Sequence, residues 1–268
     1  MECGFLARFC NLFSGSSGNC TYIGNGNGGI LIDAGVSCKR IEKALSERNI
    51  EPKSIAAIFI THEHTDHING VRVFASKYKT NVYATPGTLE ELDNMGIING
   101  KFPTNIIDDS GIEAAGMKVI PFDTPHDSRQ SCGYRIDTPD GRKIAVATDI
   151  GYISDTIREA ITGCDFVLIE SNHDIHMLES GAYPYYLKRR ILSDRGHLSN
   201  ESCAAELASL AKSGTTRFLL GHISMENYLP QIAYHTSLNA LQQAGFICGR
   251  DFLLDYAERI STRPVEVF

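Results

Sequence analysis

The sequence predicts an α/β fold in which two βαβ-type halves form an αββα sandwich, with two mixed β-sheets flanked by helices. Short apolar runs of strand length alternate along the chain with segments whose apolar residues recur at helical spacing. Residues of metal-ligand type directly follow several of these runs. Hydrophobic residues make up 43% of the 268 residues, which is enough for a sizeable core. We therefore expect a single domain over residues 1–268, with a helical and strand-containing extension after about residue 225.

Three strand-like runs open the chain, and glycine-rich turns separate them. They are FLARFCNLF (5–13), CTYIG (20–24) and GILID (29–33). A helix is predicted over residues 37–49, because Ile41, Ala44 and Leu45 have the spacing of one helical face and Ser37 can cap it.

The rest of the chain continues the alternation of strands and helices. Strands are predicted at 54–61, 81–85, 165–170 and 216–221, and residues 105–147 have the pattern of strands and turns. Helices are predicted at 70–78, 86–95, 154–162 and 199–214, where Ser199 is the cap and Gly214 the stop. A further helix, interrupted near Pro230, is expected within residues 227–245.

The segment FITHEHTDHINGV, residues 59–71, holds three of the nine histidines within six positions. Imidazole and carboxylate groups are good ligands for zinc and similar divalent ions. Residues two apart in an extended strand point the same way, so His62 and His64 could bind one ion. Asp66 and His67 lie past a turn and could face a second ion. The motif therefore predicts a metal site that other parts of the chain must complete.

Three further residues are candidates to complete it. His126 lies in DTPHDS, while Asp149 and His222 each follow a strand-like apolar run. Side chains at strand ends are held by a rigid α/β scaffold, which favours a precise site.

This set of seven residues resembles that of the metallo-β-lactamase fold. The resemblance implies that His62, His64 and His126 hold one ion, that Asp66, His67 and His222 hold the other, and that Asp149 bridges the two. ILIDAG (30–35) is similar to an early motif of that family, whose aspartate, here Asp33, supports a metal ligand. Such ligands accept zinc, manganese or iron, so we expect two divalent ions of one of these elements.

Residue types within the site narrow the chemistry that the resemblance implies. The di-iron branch has Glu where this chain has His64, and true zinc β-lactamases usually differ at position 67 or carry a cysteine ligand. Glyoxalase II-like thioesterases have GHTPG where this chain has TPHDS. Residues 196–224 instead resemble ribonuclease Z-like phosphodiesterases, in which the histidine matching His197 protonates the leaving oxygen. The chain departs from that pattern at Leu198.

SGSSGNCTYI, THEHTDHINGV, SNHD and YPYYLKRRILSDRGHLSN together resemble the YycJ group, also called WalJ, of this superfamily. The resemblance implies a cytoplasmic, metal-dependent 5′-to-3′ DNA exonuclease with Asp66 and His197 as catalytic residues. Two ions can activate water and stabilise the attacking and leaving oxygens of a phosphodiester, and Asp66 would orient that water.

Contacts with the substrate are expected from a basic run and one further histidine. Lys188, Arg189 and Arg190 lie shortly before His197, where they could bind a phosphate backbone or form a solvated helix face. His173 could contact substrate, support a ligand, or be structural.

Composition limits the classes of function. A net charge of −7 argues against a generally adhesive nucleic-acid binder, and no apolar run reaches the roughly 18 residues of a membrane span. The eight cysteines include no C-x-x-C pair, so we expect reduced thiols in a cytoplasmic protein. Open alternatives are a small-molecule (cyclic) phosphodiesterase, a thioester or lactone hydrolase, and a non-catalytic binding protein, which predicts eroded ligands.

Overall fold

The computed structural model describes residues 6–224 and 229–268. Their fourteen strands form two mixed seven-stranded β-sheets, with helices flanking them, as the sequence predicts. The chain divides into two compact units. The first comprises the chain up to Pro121 with Ser128–Arg142 and Glu258–Phe268, and the second comprises Phe122–Asp127 and Lys143–Ala257. The expectation of one domain over residues 1–268 stays a prediction.

The first unit contains one complete sheet. Its strands are β1 (Arg8–Phe13), β2 (Cys20–Asn25), β3 (Gly28–Ile32), β4 (Ile55–Phe59), β5 (Asn81–Ala84), β6 (Thr104–Ile106) and β14 (Glu266–Val267). Their order is β14-β1-β2-β3-β4-β5-β6, antiparallel from β14 to β3 and parallel from β3 to β6. The parallel strands end at the same edge, which is where Asp33 follows β3 and the histidine-rich motif follows β4.

Four helices and three more strands complete the first unit. The helices are α1 (Cys38–Ser46), α2 (Thr65–Ile68), α3 (Val71–Tyr78) and α4 (Pro86–Asn94). The strands are β7 (Ile112–Ala114), β8 (Met117–Asp123) and β9 (Cys132–Asp137), with β8 antiparallel to β7 and beside β9. Helix α1 buries Ile41, Ala44 and Leu45, the face that its spacing predicts. Ser37 occupies the N-cap position of α1, but its side chain makes no capping hydrogen bond.

The second unit has four parallel strands, β10 (Lys143–Ala147), β11 (Phe166–Glu170), β12 (Arg217–Gly221) and β13 (Leu253–Tyr256). Its helices are α5 (Asp155–Ile161), α6 (Ile175–Ser180), α7 (Tyr185–Ile191), α8 (Asn200–Lys212) and α9 (Pro230–Gln243). Ala147 pairs with Ile169, and Glu170 pairs with Gly221. The residues that end β10, β11 and β12 therefore meet at one edge of the strands.

The helix boundaries follow capping chemistry in the second unit. Ser199 accepts a hydrogen bond from the backbone of Ser202 and starts α8, and Gly214 follows its end with a φ of 104°. Among the described residues the helix begins at Pro230, which occupies the first turn of α9, where its missing N–H is not needed. The parts of the predictions that fall on Phe5, Asn227 and Tyr228 lie outside the described residues. None of the described helices combines the length and apolarity that a membrane crossing requires.

Candidate metal centre

The histidine-rich motif folds into a compact cluster of rings where β4 ends. His64 is the N-cap of the short helix α2, which carries Asp66 and His67 in its single turn. The ring centroids of His62 and His64 lie 4.5 Å apart, and those of His62 and His67 lie 4.1 Å apart. The strand end followed by a tight helical turn thus brings together the three histidines of the motif.

Asp33 orients the ring of His67 through a hydrogen bond. One carboxylate oxygen of Asp33 lies 2.7 Å from Nδ1 of His67, and both oxygens accept hydrogen bonds from Thr61 at 2.9 Å. Burial raises the pKa of Asp33, while His67 and Thr61 oppose that rise because they stabilise the carboxylate. Because Nδ1 of His67 faces the carboxylate, Nε2 is the nitrogen that can accept a hydrogen bond. The side-chain amide nitrogen of Asn19 lies 3.0 Å from it.

A close backbone approach fixes the loop that carries Asp66. A Cβ atom added to Gly35 would lie 1.6 Å from the carbonyl oxygen of Asp66, so that no other residue fits there without movement. The same carbonyl accepts a hydrogen bond of 2.7 Å from the backbone N–H of Asn19. Gly35 and Asn19 therefore hold the position of Asp66.

In the second unit, the strand ends bring four ionisable side chains together. Asp149, Glu170, His197 and His222 each offer an atom of ligand type within 4.8 Å of the others. One oxygen of Asp149, Oδ1, lies 3.4 Å from Nδ1 of His222 and 3.8 Å from Nε2 of His126. The predicted ligands Asp149, His126 and His222 of this unit are thus neighbours.

Glu170 is the residue that organises this cluster. Its Oε1 lies 2.8 Å from Nδ1 of both His197 and His222, and its Oε2 accepts from the backbone N–H groups of Ile150 and Leu198. The side chain is completely buried. Burial opposes ionisation of the carboxyl, but the contacts with His197 and His222 outweigh it and hold the pKa of Glu170 well below its usual range. A buried carboxylate therefore fixes the rings of two histidines at once.

His126 is held by a backbone carbonyl and an arginine side chain of the segment before His197. Its Nδ1 lies 3.1 Å from the carbonyl oxygen of Gly196, and its own carbonyl accepts a hydrogen bond of 3.0 Å from Nε of Arg195. Burial lowers the pKa of His126, which favours the neutral imidazole, although Asp149 opposes the shift.

The donor set fits a divalent metal. His67, His126 and His222 each direct Nδ1 at a carboxylate or carbonyl oxygen, so Nδ1 carries the proton and Nε2 presents a lone pair. That arrangement is the one in which metal-binding histidines are held in proteins. Neutral imidazoles and ionised carboxylates are the ligands that divalent zinc, manganese and iron accept. The chain therefore carries clusters of histidine and aspartate suited to divalent metals.

His197 differs from the other histidines of the cluster in its exposure. Its side chain is 13% exposed, whereas those of His126, His222 and Glu170 are 0%, 4% and 0% exposed. The departure from the family pattern at Leu198 leaves the following cap intact, because Leu198 is buried and Ser199 still caps α8. His197 therefore combines a fixed orientation with partial access for a substrate.

Three residues that follow parallel strands near the candidate ligands have a left-handed backbone although they are not glycine. The φ angles of Asp33, Asp149 and His222 are 61°, 59° and 52°. Each follows a parallel strand of its unit at the edge described above. Such a conformation costs roughly 1–3 kcal/mol per residue and occurs preferentially at functional sites.

The expected substrate contacts differ in their surroundings. His173 is buried, and its backbone carbonyl accepts a hydrogen bond from the backbone N–H of Asn200, the first residue of α8. Burial lowers the pKa of His173 to about 4. On α7, the Nζ of Lys188 donates to a carbonyl oxygen, and the guanidinium of Arg189 lies 6.0 Å from the ring centroid of Tyr185. Arg190 instead forms an ion pair with Asp127.

Sequence reasoning missed Glu170, Asn19 and Asp127. Glu170 had a signal, since a carboxylate that ends the apolar run FVLIE has the same placement as Asp149 and His222 after their strands. Asn19 sits in a glycine-rich turn far from the motif and had none. Asp127 directly follows His126 and was recognisable only as a neighbour of a ligand candidate.

Comparison with known proteins agrees with this fold. The profile of the Beta-lactamase superfamily domain matches residues 29–223. Exodeoxyribonuclease WalJ of Streptococcus pneumoniae is 39% identical, over 94% of this chain and 93% of its own. Exodeoxyribonuclease YycJ of Bacillus anthracis is 36% identical, over 91% of this chain and 93% of its own. The resemblance to the YycJ group is thereby confirmed.

Among solved structures, the metallo-β-lactamase fold protein YhfI of Bacillus subtilis superposes with a TM-score of 0.72. The alignment covers 98% of this chain and 100% of the other, at 12% sequence identity. At that identity the likeness establishes the fold alone.

Proposed function

Since the chain belongs to the β-lactamase superfamily, we propose that it is a metal-dependent hydrolase of phosphodiester bonds in DNA, an exonuclease that proceeds from 5′ to 3′. The names of two relatives support this, because both are exodeoxyribonucleases and both match more than nine-tenths of the chain. The structural observation that carries it is the pair formed by Glu170 and His197.

The pair matters because phosphodiester cleavage in DNA expels a sugar alkoxide, a poor leaving group that needs a proton. His197 Nδ1–H donates to the buried Oε1 of Glu170 at 2.8 Å, so its other nitrogen, Nε2, is oriented to carry the transferable proton. A thioester releases a thiolate, which leaves without one. The arrangement therefore favours a phosphodiesterase over the thioester hydrolase alternative.

We propose that two divalent ions bind to the seven residues that the family resemblance implies. These are His62, His64, Asp66, His67, His126, Asp149 and His222. The lone pairs presented by Nε2 of His67, His126 and His222 support this assignment. Bound ions of this kind supply Lewis acidity, which makes water nucleophilic at neutral pH and offsets the charge of the phosphate.

The residues of the chain would divide the remaining work. Asp66 would orient the attacking water, whose oxygen forms the new bond to phosphorus and whose released proton passes to solvent. The bond from phosphorus to the sugar oxygen breaks, and His197 gives that oxygen its proton. Asp33 holds His67 in its Nδ1–H tautomer, and Glu170 accepts from Nδ1–H of His197, whose imidazolium form carries on Nε2 the proton to be transferred.

Substrate binding is proposed for Lys188 and Arg189, with His173 a further candidate. The backbone of a DNA strand is anionic, and helix α7 carries both cations shortly before His197 in the sequence. Tyr185 and Tyr186 beside them are 76% and 74% exposed, which supports an open face available for a strand. A cytoplasmic location is supported by the free cysteines among the described residues.

One comparison of substrates tests the function. The protein, purified without chelator and analysed for bound metal, is given 5′-labelled duplex DNA, single-stranded DNA, a cyclic nucleotide and a thioester. We expect stepwise release of nucleotides from the 5′ end and about two equivalents of metal. Activity on the cyclic nucleotide alone would assign a small-molecule phosphodiesterase, and activity on the thioester alone would contradict the nuclease proposal.

A further inference from the structure

Arg190 and Asp127 form a two-point ion pair next to a proposed metal ligand. Nη2 of Arg190 lies 2.9 Å from Oδ1 of Asp127, and Nε of Arg190 bonds the other oxygen. Two parallel N–H···O bonds between a guanidinium and a carboxylate fix both side chains more firmly than one contact does. Arg190 thus differs from Arg189, whose guanidinium lies on the outer face of α7 against Tyr185.

Asp127 connects the ion pair to the proposed metal ligand His126. Oδ1 of Asp127, the oxygen that accepts from Nη2 of Arg190, lies 3.3 Å from Nε2 of His126. Since Nδ1 of His126 is directed at the carbonyl of Gly196, Nε2 is the nitrogen that would bind metal. The orientation of the Asp127 carboxylate therefore determines whether one of its oxygens lies beside Nε2 of His126.

The segment that carries Arg190 is itself packed tightly against the His126 loop. Arg195 donates to the backbone carbonyl of His126, and Gly151 donates to the carbonyl of Pro125. A Cβ atom on Gly196 would lie 2.2 Å from the carbonyl oxygen of Ile191, so the turn after α7 has no room to shift. Arg190 is consequently presented to Asp127 from a fixed support.

We propose that Arg190, acting through Asp127, is a positioning residue for His126 and not a contact for the phosphate backbone. The pair fixes the orientation of the Asp127 carboxylate beside Nε2 and holds the backbone at residues 126–127, so the imidazole is preorganised for metal. This inference rests on the proposed function in taking His126 as a ligand. Loss of partners that orient a metal ligand typically lowers metal affinity by about 10–100-fold.

The test measures metal affinity in protein without substrate. The zinc affinities of the wild type, Arg190→Gln, Arg190→Lys, Asp127→Asn and the double variant Arg190→Gln/Asp127→Asn are compared by competition with a chromogenic chelator. We expect a loss of about 10–100-fold for Arg190→Gln and Asp127→Asn, and no further loss in the double variant, because both changes remove one contact. Arg190→Lys should resemble Arg190→Gln, because an ammonium cannot make the two-point contact.

A second arginine pair of the same unit provides the matched control. Arg158 on α5 bonds Glu206, and its side chain is 46% exposed against 45% for Arg190. Arg158→Gln changes the net charge equally but is expected to leave zinc affinity unchanged. Melting curves of all variants establish that the fold is retained.

The outcomes separate this inference from the function on which it rests. Wild-type zinc affinity in Arg190→Gln, together with a weaker salt dependence of DNA binding, would overturn the positioning role in favour of a phosphate contact. His126→Ala is included for the same reason. If His126→Ala loses zinc and Arg190→Gln does not, only the positioning role fails; if His126→Ala keeps all its zinc, the ligand assignment itself fails.

Discussion

Glu170 and His197 are joined by a hydrogen bond of 2.8 Å between Oε1 and Nδ1, and the carboxylate at one end of it is completely buried. The same oxygen lies 2.8 Å from Nδ1 of His222, so a single carboxylate orients the rings of a proposed acid and of a proposed metal ligand. The two proposed functions of the cluster, proton transfer and metal binding, would therefore be coupled through Glu170.

Replacing Glu170 should consequently affect both functions. In Glu170→Gln one carboxylate oxygen becomes an NH₂ group, which cannot accept, so either the two histidines or the backbone N–H groups of Ile150 and Leu198 lose their acceptor. We expect zinc affinity to fall by about 10–100-fold and DNA hydrolysis at saturating zinc to fall as well. Chelator competition and a nuclease assay across a range of zinc concentrations measure the two effects separately. Full activity at saturating zinc would mean that Glu170 serves the ligand alone.

Replacing His197 should impair proton transfer and leave metal binding intact. General acid catalysis is worth roughly 10²–10⁴-fold, so His197→Ala should lose about that factor on DNA. The loss should be much smaller on bis-p-nitrophenyl phosphate, because p-nitrophenolate leaves without a proton. Parallel rate measurements on both substrates, with metal analysis, test this. An equal loss on both substrates would indicate that His197 positions the substrate, and a loss of metal would make it a ligand.

Replacing Asp149 should remove bound metal, which the replacement of His197 is expected to leave in place. Its carboxylate lies among three histidines and is proposed to bridge both ions, so Asp149→Ala should lose metal as well as turnover. Elemental analysis after dialysis against zinc gives the stoichiometry. Retention of two equivalents of zinc in Asp149→Ala would refute the bridging role.

Neutralising Lys188 and Arg189 should weaken DNA binding and flatten its salt dependence. Each phosphate contact that is lost reduces the slope of log K against log salt concentration by roughly 0.7–0.9. Lys188→Gln and Arg189→Gln, singly and together, are measured by anisotropy titration at several salt concentrations. Hydrolysis of the small diester is the control and should change little. A slope identical to that of the wild type would show that both residues contact no phosphate and belong to a solvated face of α7.

Gly35→Ala should disturb the Asp66 loop through a steric clash. The added methyl group would meet the carbonyl oxygen of Asp66 at 1.6 Å, and overpacking of this kind costs about 1–3 kcal/mol. We expect a lower melting temperature and a reduced zinc content. Gly96→Ala is the control, because its Cβ meets nothing within 4 Å and only its left-handed backbone is strained, at about 1–2 kcal/mol. Normal zinc content in Gly35→Ala would show that the loop can accommodate the methyl group.

Much of the fold was predictable because local patterns report local structure. The run IAAIF is buried at four of its five positions as β4, and Ile41, Ala44 and Leu45 form the buried face of α1. The Ser199 cap and the Gly214 stop of α8 also follow from short-range chemistry. From Pro230 onward α9 is continuous, because the missing N–H of proline is harmless in the first turn of a helix.

The sequence by itself determined the residue types of the candidate site, since the motif FITHEHTDHINGV and the polar residues after the apolar runs specify a divalent-metal donor set. Only the tertiary structure decided how those residues are held. Glu170 joins His197 to His222 because parallel pairing brings the ends of β11 and β12 side by side, although the two histidines are far from Glu170 in sequence. The left-handed backbone of Asp33, Asp149 and His222 and the Arg190–Asp127 pair likewise arise from packing between distant segments, on which neither spacing nor composition carries information.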